Sequence, residues 1–249
     1  MQRSADIPKA YARALAEALA ENLWPTRCAI CDRPGAVLCA RCCRNLPYID
    51  YWSACQRCGA PFGRVQCSEC NPVSLQRLGE KELSFSRCTC ATVFDDRTAA
   101  LITTYKDRGE RRLAGAIAAL LVETLPPGWT QGHCVSFVPA TLGALRRRWF
   151  DHAELLARNV AERAGLPVEP LFERPRSRDQ RKLSRHQRLE NMSAGLRLRE
   201  GFLEGGAPPA RVLVVDDVYT TGSTLIAASK ALVGAGSTAV SCATFARVW

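Results

Sequence analysis

Two groups of residues in this sequence have types and spacings that could do chemistry. The first is the run VLVVDDVYTTGST at residues 212–224. It reads as an apolar strand ending at Asp216-Asp217, then a short loop over 218–223 that opens a helix. At the C-terminal end of a parallel strand, such a loop exposes several backbone N–H groups. With the positive helix end they make a cradle for a monophosphate. Gly222 lets the backbone approach an anion closely, and Thr220, Thr221, Ser223 and Thr224 add hydroxyl donors. The carboxylates of Asp216 and Asp217 repel a phosphate; they suit hydroxyl groups, or Mg²⁺ bound through water. Acids beside such a cradle describe a sugar phosphate, with the 5′-phosphate in the loop and the ribose 2′- and 3′-hydroxyls on the acids. The sequence has no GxxxxGK[ST] and no GxGxxG, which leaves a P-loop ATPase and a dinucleotide fold without support.

The second group is cysteine. Of 13 cysteines, 11 fall between Cys28 and Cys90, and eight form four knuckles: Cys28/Cys31, Cys39/Cys42, Cys55/Cys58 and Cys67/Cys70. An odd total in a chain whose first residues do not read as a secretory signal argues against a disulfide framework. Paired CxxC knuckles place four thiolates around one Zn²⁺, in a closed structural shell with no open position. No histidine lies in this region, so two four-cysteine sites are expected. Sequential pairing of the knuckles is the simplest; a cross-braced pairing, iron–sulfur ligation and metal-free thiols are the alternatives. Large apolar residues are few here, so the segment depends on metal to fold. Cys43 and the Cys88-x-Cys90 pair are left over, and Cys134 and Cys242 sit in apolar runs that read as core.

Other elements must position these groups. From about residue 91 strands and helices alternate, which implies an α/β fold with a mostly parallel sheet. Residues 91–94 and 100–105 read as short strands, in a hairpin across Asp95-Asp96. Residues 110–124 read as a helix with Leu113, Ile117, Leu120 and Leu121 on one face. A strand over 134–138, a helix over 150–164, a strand over 211–215, a helix over 222–233 and a strand over 238–245 follow. The expected domains are an N-terminal helix (1–24), a double zinc ribbon (25–90) and the α/β domain (91–249). Residues 8–24 pattern as an amphipathic helix with Leu15, Leu19 and Leu23 on one stripe.

The chain of 249 residues has a formal net charge of +10, and 29 of its 34 basic residues are arginine. That balance points to anionic partners. Residues 174–199 carry nine Lys/Arg against Asp179 and Glu190, a net +7. They read either as a solvated loop or as a basic flap over an anionic site. The longest apolar stretch, 113–122, is about half of what a membrane span needs. No membrane insertion and a cytoplasmic location are therefore expected.

The 212–224 run resembles the phosphoribosyl-pyrophosphate (PRPP) motif of type I phosphoribosyltransferases: an apolar strand, two acids, a few residues, then TGxT. Cysteine knuckles followed by such a core are similar to the ComF family, whose members include competence-associated DNA-uptake proteins. The resemblance covers roughly residues 24–249. It extends to Tyr105-Lys106-Asp107, to Val138-Pro139 with Arg146, Arg147 and Arg148, and to Gln180, Leu183, Arg188 and Asn191. Trp149, Asp151 and His152 stand where the family has Gly, Asn and Gln.

The resemblance implies a type I phosphoribosyltransferase-like sheet behind a small zinc-ribbon domain, with PRPP and Mg²⁺ bound together. Asp216 and Asp217 would orient the ribose, Thr220, Thr221, Gly222, Ser223 and Thr224 would fix the 5′-phosphate, and Lys106 and Arg146 would neutralise the leaving pyrophosphate. Transfer of the phosphoribosyl group to an acceptor is one implied activity. The alternatives are a non-catalytic PRPP sensor or adaptor, and a protein of DNA uptake that binds single-stranded DNA or a component of the competence machinery. The basic segment has no aromatic residues for base stacking.

Overall fold

The computed structural model describes residues 25–175, 196–202 and 208–249. The helix expected over 8–24, most of the basic segment, and Gln180, Leu183, Arg188 and Asn191 lie outside the described residues. The chain divides into two compact units, Met1–Asn45 and Leu46–Trp249.

In the first unit, Arg27 and Pro34 bridge antiparallel, and the Cys28 N–H bonds to the Arg33 carbonyl at 2.9 Å. These bonds close the turn that carries Cys31. A single helical turn, α1 (Ala40–Arg44), follows directly from Cys39 and carries Cys42.

The second unit opens with a cysteine-rich segment that contains α2 (Pro72–Arg77). Asn71 caps this helix, its side chain accepting from the Ser74 N–H at 2.9 Å, and Pro72 sits in the first turn, where its missing N–H costs nothing. The sheet has four strands: β1 (Arg87–Val93), β2 (Cys134–Ser136), β3 (Arg211–Tyr219) and β4 (Ala239–Arg247). Their order is β1-β4-β3-β2 and every pairing is parallel. The expected α/β fold with a parallel sheet, preceded by cysteine-rich sites, is what the structure has.

Helices α3 (Asp96–Lys106), α4 (Leu113–Glu123), α5 (Leu142–Arg148), α6 (His152–Ala164) and α7 (Ser223–Gly234) connect the strands. A 3₁₀ turn covers Glu200–Phe202. α4 and α6 pack on each other and on β2, β3 and β4, and α7 packs on β3 and β4. Val212 and Val214 join Leu225, Ile226 and Leu232 of α7 in one cluster, which continues into Leu75, Leu83 and Phe85 of the cysteine-rich segment.

Two sequence expectations are corrected. Residues 100–105 are not a strand, and there is no hairpin at Asp95-Asp96: α3 begins there. The reason is a capping box. Asp95 Oδ1 accepts the Arg97 and Thr98 N–H groups, and Thr98 Oγ1 accepts the Asp95 N–H at 2.7 Å. The third strand does not stop at residue 215 or at the two acids. It runs on to Tyr219, because Val218 and Tyr219 pair with Ala246 and Arg247 of β4.

Candidate functional site

The eight knuckle cysteines gather into two sets. Within each set the sulfurs lie within 4.8 Å of one another: Cys28, Cys31, Cys39, Cys42, and Cys55, Cys58, Cys67, Cys70. Pairing is therefore sequential, not cross-braced. Sulfur separations of 3.7 Å (Cys31–Cys39), 3.6 Å (Cys55–Cys70) and 3.5 Å (Cys58–Cys67) are far too long for disulfides. They approach the edge of about 3.8 Å that a tetrahedron has when its centre-to-sulfur distance is ~2.3 Å. Each set could hold one metal ion, and the dimensions fit zinc.

Burial opposes ionisation of Cys28. The backbone N–H groups of Cys39, Cys31 and Ile30 outweigh it and lower the thiol, whereas burial and the neighbouring thiols push Cys42 of the same set up to about 12. Cys88 and Cys90 belong to neither set. They are buried in β1, as Cys134 and Cys242 are buried in β2 and β4.

The second candidate site is the end of β3. Because the strand reaches Tyr219 and α7 starts at Ser223, the turn between them shrinks to Thr220, Thr221 and Gly222. Among the described residues, the backbone N–H groups of these three have no hydrogen-bond partner. They stand at the N-terminus of a 12-residue helix, the positive end of its dipole. Gly222 has φ 76°, and a Cβ there would fall within 2.8 Å of Oη, Cζ and Cε1 of Tyr219. Both the left-handed backbone and the ring below it require glycine. Thr221 Oγ1 accepts the Ser223 N–H at 3.3 Å and bonds the Ser223 hydroxyl.

Neighbouring strand positions alternate in direction, and the two acids meet different surroundings. Asp217 is buried, and its Oδ2 accepts from Lys106 Nζ at 2.7 Å. Burial alone would raise its pKa, but the Lys106 ammonium overrides this and holds the carboxyl below its ordinary value. Asp216 is half-buried, and its Oδ1 accepts the Asp217 N–H at 2.8 Å. Burial and the adjacent Asp217 charge push it up to about 8. Of the two, Asp217, with the ammonium partner, ionises the more readily.

Lys106 ends α3, and the structure brings its ammonium to Asp217. Arg146 lies on α5; it is the neighbouring Arg148 that reaches inward, to Asp107 at 2.9 Å and to His152 Nδ1 at 3.3 Å. Trp149, Asp151 and His152, where the resemblance breaks, lie at the junction of α5 and α6. Trp149 caps α5 with φ 61° and is 83% exposed. Asp151 caps α6, and its Oδ2 also holds the Ala140 N–H at 3.0 Å and Arg174 at 2.8 Å. His152 is pushed down to about 4 by burial and by the Lys106 charge. Arg174 is thus the described start of the basic segment, and it is tied down by an acid.

The β3–α7 turn opens on a cavity of about 240 Å³ lined by Tyr219, Thr220, Thr221, Ser74, Arg77 and Arg247, among others. A larger cavity, about 730 Å³, lies around Trp52, Arg64, Arg87 and Trp129 and touches no residue of the 212–224 motif. The smaller cavity joins the turn to the cysteine-rich segment, which sequence reasoning missed, but neither acid, nor Lys106, Gly222 or Ser223, lines it. Arg77 and Arg247 were missed too. The available signal was Arg247 itself, a charge in the otherwise apolar run CATFARVW.

No known protein family matches the chain, and no curated protein matches it. No helix among the described residues is long and apolar enough to cross a membrane.

Proposed function

We propose that this protein binds PRPP, or another ribose 5-phosphate, at the end of β3 and is a phosphoribosyltransferase of the ComF type. The observation that carries the reading is the three-residue turn. Its N–H groups are unengaged, a helix N-terminus stands behind them, and two acids precede them on the strand. The 5′-phosphate would take the N–H groups of Thr220, Thr221 and Gly222 and the hydroxyls of Thr220, Thr221, Ser223 and Thr224. The ribose hydroxyls would take Asp216 and Asp217.

PRPP enters as its Mg²⁺ complex, so the metal belongs to the substrate. In transfer, the C1′–O bond to pyrophosphate breaks, pyrophosphate leaves with the bonding pair, and an acceptor bonds to C1′. Lys106 neutralises Asp217 before the ligand arrives, and a pyrophosphate competes for the same ammonium. Arg146, on the basic turn of α5, is the second cation for that group. The protein's contribution is positioning and charge stabilisation. Each four-cysteine set holds zinc and is structural.

Calorimetric titration of the zinc-loaded chain with PRPP, with and without Mg²⁺, tests this. Binding that needs Mg²⁺ and is lost in Asp217→Asn is expected; no binding by intact protein overturns the reading.

One observation favours a second reading. Asp217 is engaged by Lys106, and burial with the adjacent charge disfavours ionisation of Asp216, so neither carboxyl stands as an unencumbered base beside the turn. That suits a PRPP sensor or adaptor of DNA uptake, working in the cytoplasm on single-stranded DNA or a protein of the competence machinery. PRPP binding without pyrophosphate release across an acceptor screen would support it, and turnover would exclude it.

A further inference from the structure

A buried cation needs a negative partner, and Arg247 has no ordinary one. It ends β4 and is 2% exposed. Its Nε and Nη1 are buried without a hydrogen-bond partner. Glu69, the acid it meets, lies 3.8 Å from Nη2 and is itself 39% exposed. Nη2 points at Cys58 Sγ, 3.8 Å away, and the guanidinium carbon sits 3.9 Å from the centroid of the Tyr219 ring.

A buried guanidinium whose partners are a half-exposed carboxylate 3.8 Å away and the sulfurs of Cys58 and Cys90 is poorly compensated, at a cost of several kcal/mol. Four neutral thiols do not offset that. Four thiolates around one divalent ion do, because the assembly carries a net charge of −2. An arginine N–H on a ligand sulfur also fixes the ligand and drains charge from it, as outer partners of metal sites do.

We propose that Arg247 is the charge partner of a metal–tetrathiolate centre at Cys55, Cys58, Cys67 and Cys70, and that it couples this centre to the Thr220–Gly222 turn through the Tyr219 ring. The coupling follows from the stacking order. Cys58 Sγ touches Arg247, Arg247 lies on the Tyr219 ring, and that ring lies against Gly222, leaving no room for a Cβ. A metal-free centre leaves Arg247 with only the distant Glu69 carboxylate and the Cys90 sulfur. The guanidinium then moves toward water, and the ring that supports Gly222 loses its backing. Arg247 is a positioning residue in this scheme, and neither half of the scheme depends on what the turn binds.

The test uses the full zinc-loaded chain. Zinc is withdrawn by a chelator, cysteine alkylation is followed by peptide mapping for each centre, and amide hydrogen exchange is read over residues 226–229, where the Ile226 N–H bonds the Gly222 carbonyl at 2.8 Å. In Arg247→Met, which keeps volume and removes charge, Cys55, Cys58, Cys67 and Cys70 should become reactive roughly tenfold faster. Cys28, Cys31, Cys39 and Cys42 should keep their wild-type rate. Arg247→Lys, which restores the charge without the fork, should fall between; a purely packing role would make Lys no better than Met. In the wild type, stripping the second centre should speed exchange at 226–229. Wild-type alkylation rates in Arg247→Met overturn the charge partnership, and unchanged exchange after stripping overturns the coupling. If Arg247→Met does not fold, the lysine variant and the wild-type exchange experiment still decide both halves.

Discussion

The two four-cysteine sets have nearly the same spacing and opposite surroundings. Among the described residues of the first unit, the buried ones are Cys28 and Cys42, both members of the set. There the ligands are the core. In the second set Cys58 is fully buried, and Cys55 and Cys70 share a cluster with Ile49, Leu75, Leu83 and Phe85 that continues into the sheet. There the ligands are one corner of a larger core. The same motif is therefore a whole fold in one place and a local brace in the other. What a metal contributes depends on how much apolar burial already surrounds it.

Removing the metal should break this comparison open, with the largest effect of all. Structural zinc supplies about 10–16 kcal/mol in small domains that fold around it. Chelation should therefore abolish amide protection across residues 25–45, while β3 and β4 keep theirs. In the second unit protection should fall over 46–86, with the faster exchange at the start of α7 that the Arg247–Tyr219 coupling predicts. Hydrogen exchange before and after chelation reads all three regions in one experiment. Persistent protection of 25–45 without metal would show that the first unit has a core of its own and would end the contrast.

A buried ion pair gives the second unit stability of a different origin. Lys106 and Asp217 are 20% and 6% exposed at the side chain, so removing one partner strands the other. Asp217→Asn or Lys106→Met should each cost about 3 kcal/mol, with the double variant costing much less than the sum. Denaturation of all four forms, with and without chelator, checks it. The coupling should be the same in both, because the pair draws on the sheet and not on the cysteines. A coupling that vanishes with the metal would mean that the two sites are one cooperative structure.

Much of this was legible in the sequence, for physical reasons that differ by region. The knuckles were readable because four thiolates on one ion need that spacing whatever surrounds them. The β3 turn was readable because its acids, hydroxyls and Gly222 sit together in the chain. The strand end was misplaced by four residues because Asp216-Asp217 looked like a stop; pairing with Ala246 and Arg247 carries the backbone past them. Helix α3 was misread because Ile102, Thr103 and Thr104 suit a strand, while the Asp95–Thr98 capping box decides the matter from outside that stretch. Arg247 and Arg77 were missed because their meaning comes only from neighbours far away in the chain.

Acidification sharpens the comparison further. His152 faces Lys106, Arg148, Asp217 and Asp151. Its folded value of about 4 lies below the ordinary 6.5, so between these pH values the unfolded chain binds a proton that the folded chain does not. Stability is therefore lost as pH falls from 6.5 to 4, by on the order of 2 kcal/mol. The cysteine centres also weaken in acid as thiolates protonate, so the measurement is the difference between wild type and His152→Gln, in which the metal contribution cancels. Denaturant unfolding at pH 7 and at pH 4.5 should show the variant losing less. Equal losses would mean that His152 is already charged in the folded protein.

The smallest effect concerns Trp149, where the family pattern has glycine. Its φ of 61° at the end of α5 is a left-handed conformation that a bulky residue adopts at a cost of ~1–2 kcal/mol. The indole is 83% exposed, so burial returns little. Arg111 bonds the Trp149 carbonyl at 2.9 Å, a contact any residue can keep. Trp149→Gly should therefore stabilise the second unit by about 0.5–1 kcal/mol after glycine's greater freedom in the unfolded chain is counted. The gain should be identical with and without metal. Trp149→Ala, which removes the ring but keeps the Cβ, should give no such gain in thermal unfolding. If glycine destabilises instead, the exposed indole makes a contact that offsets its backbone strain.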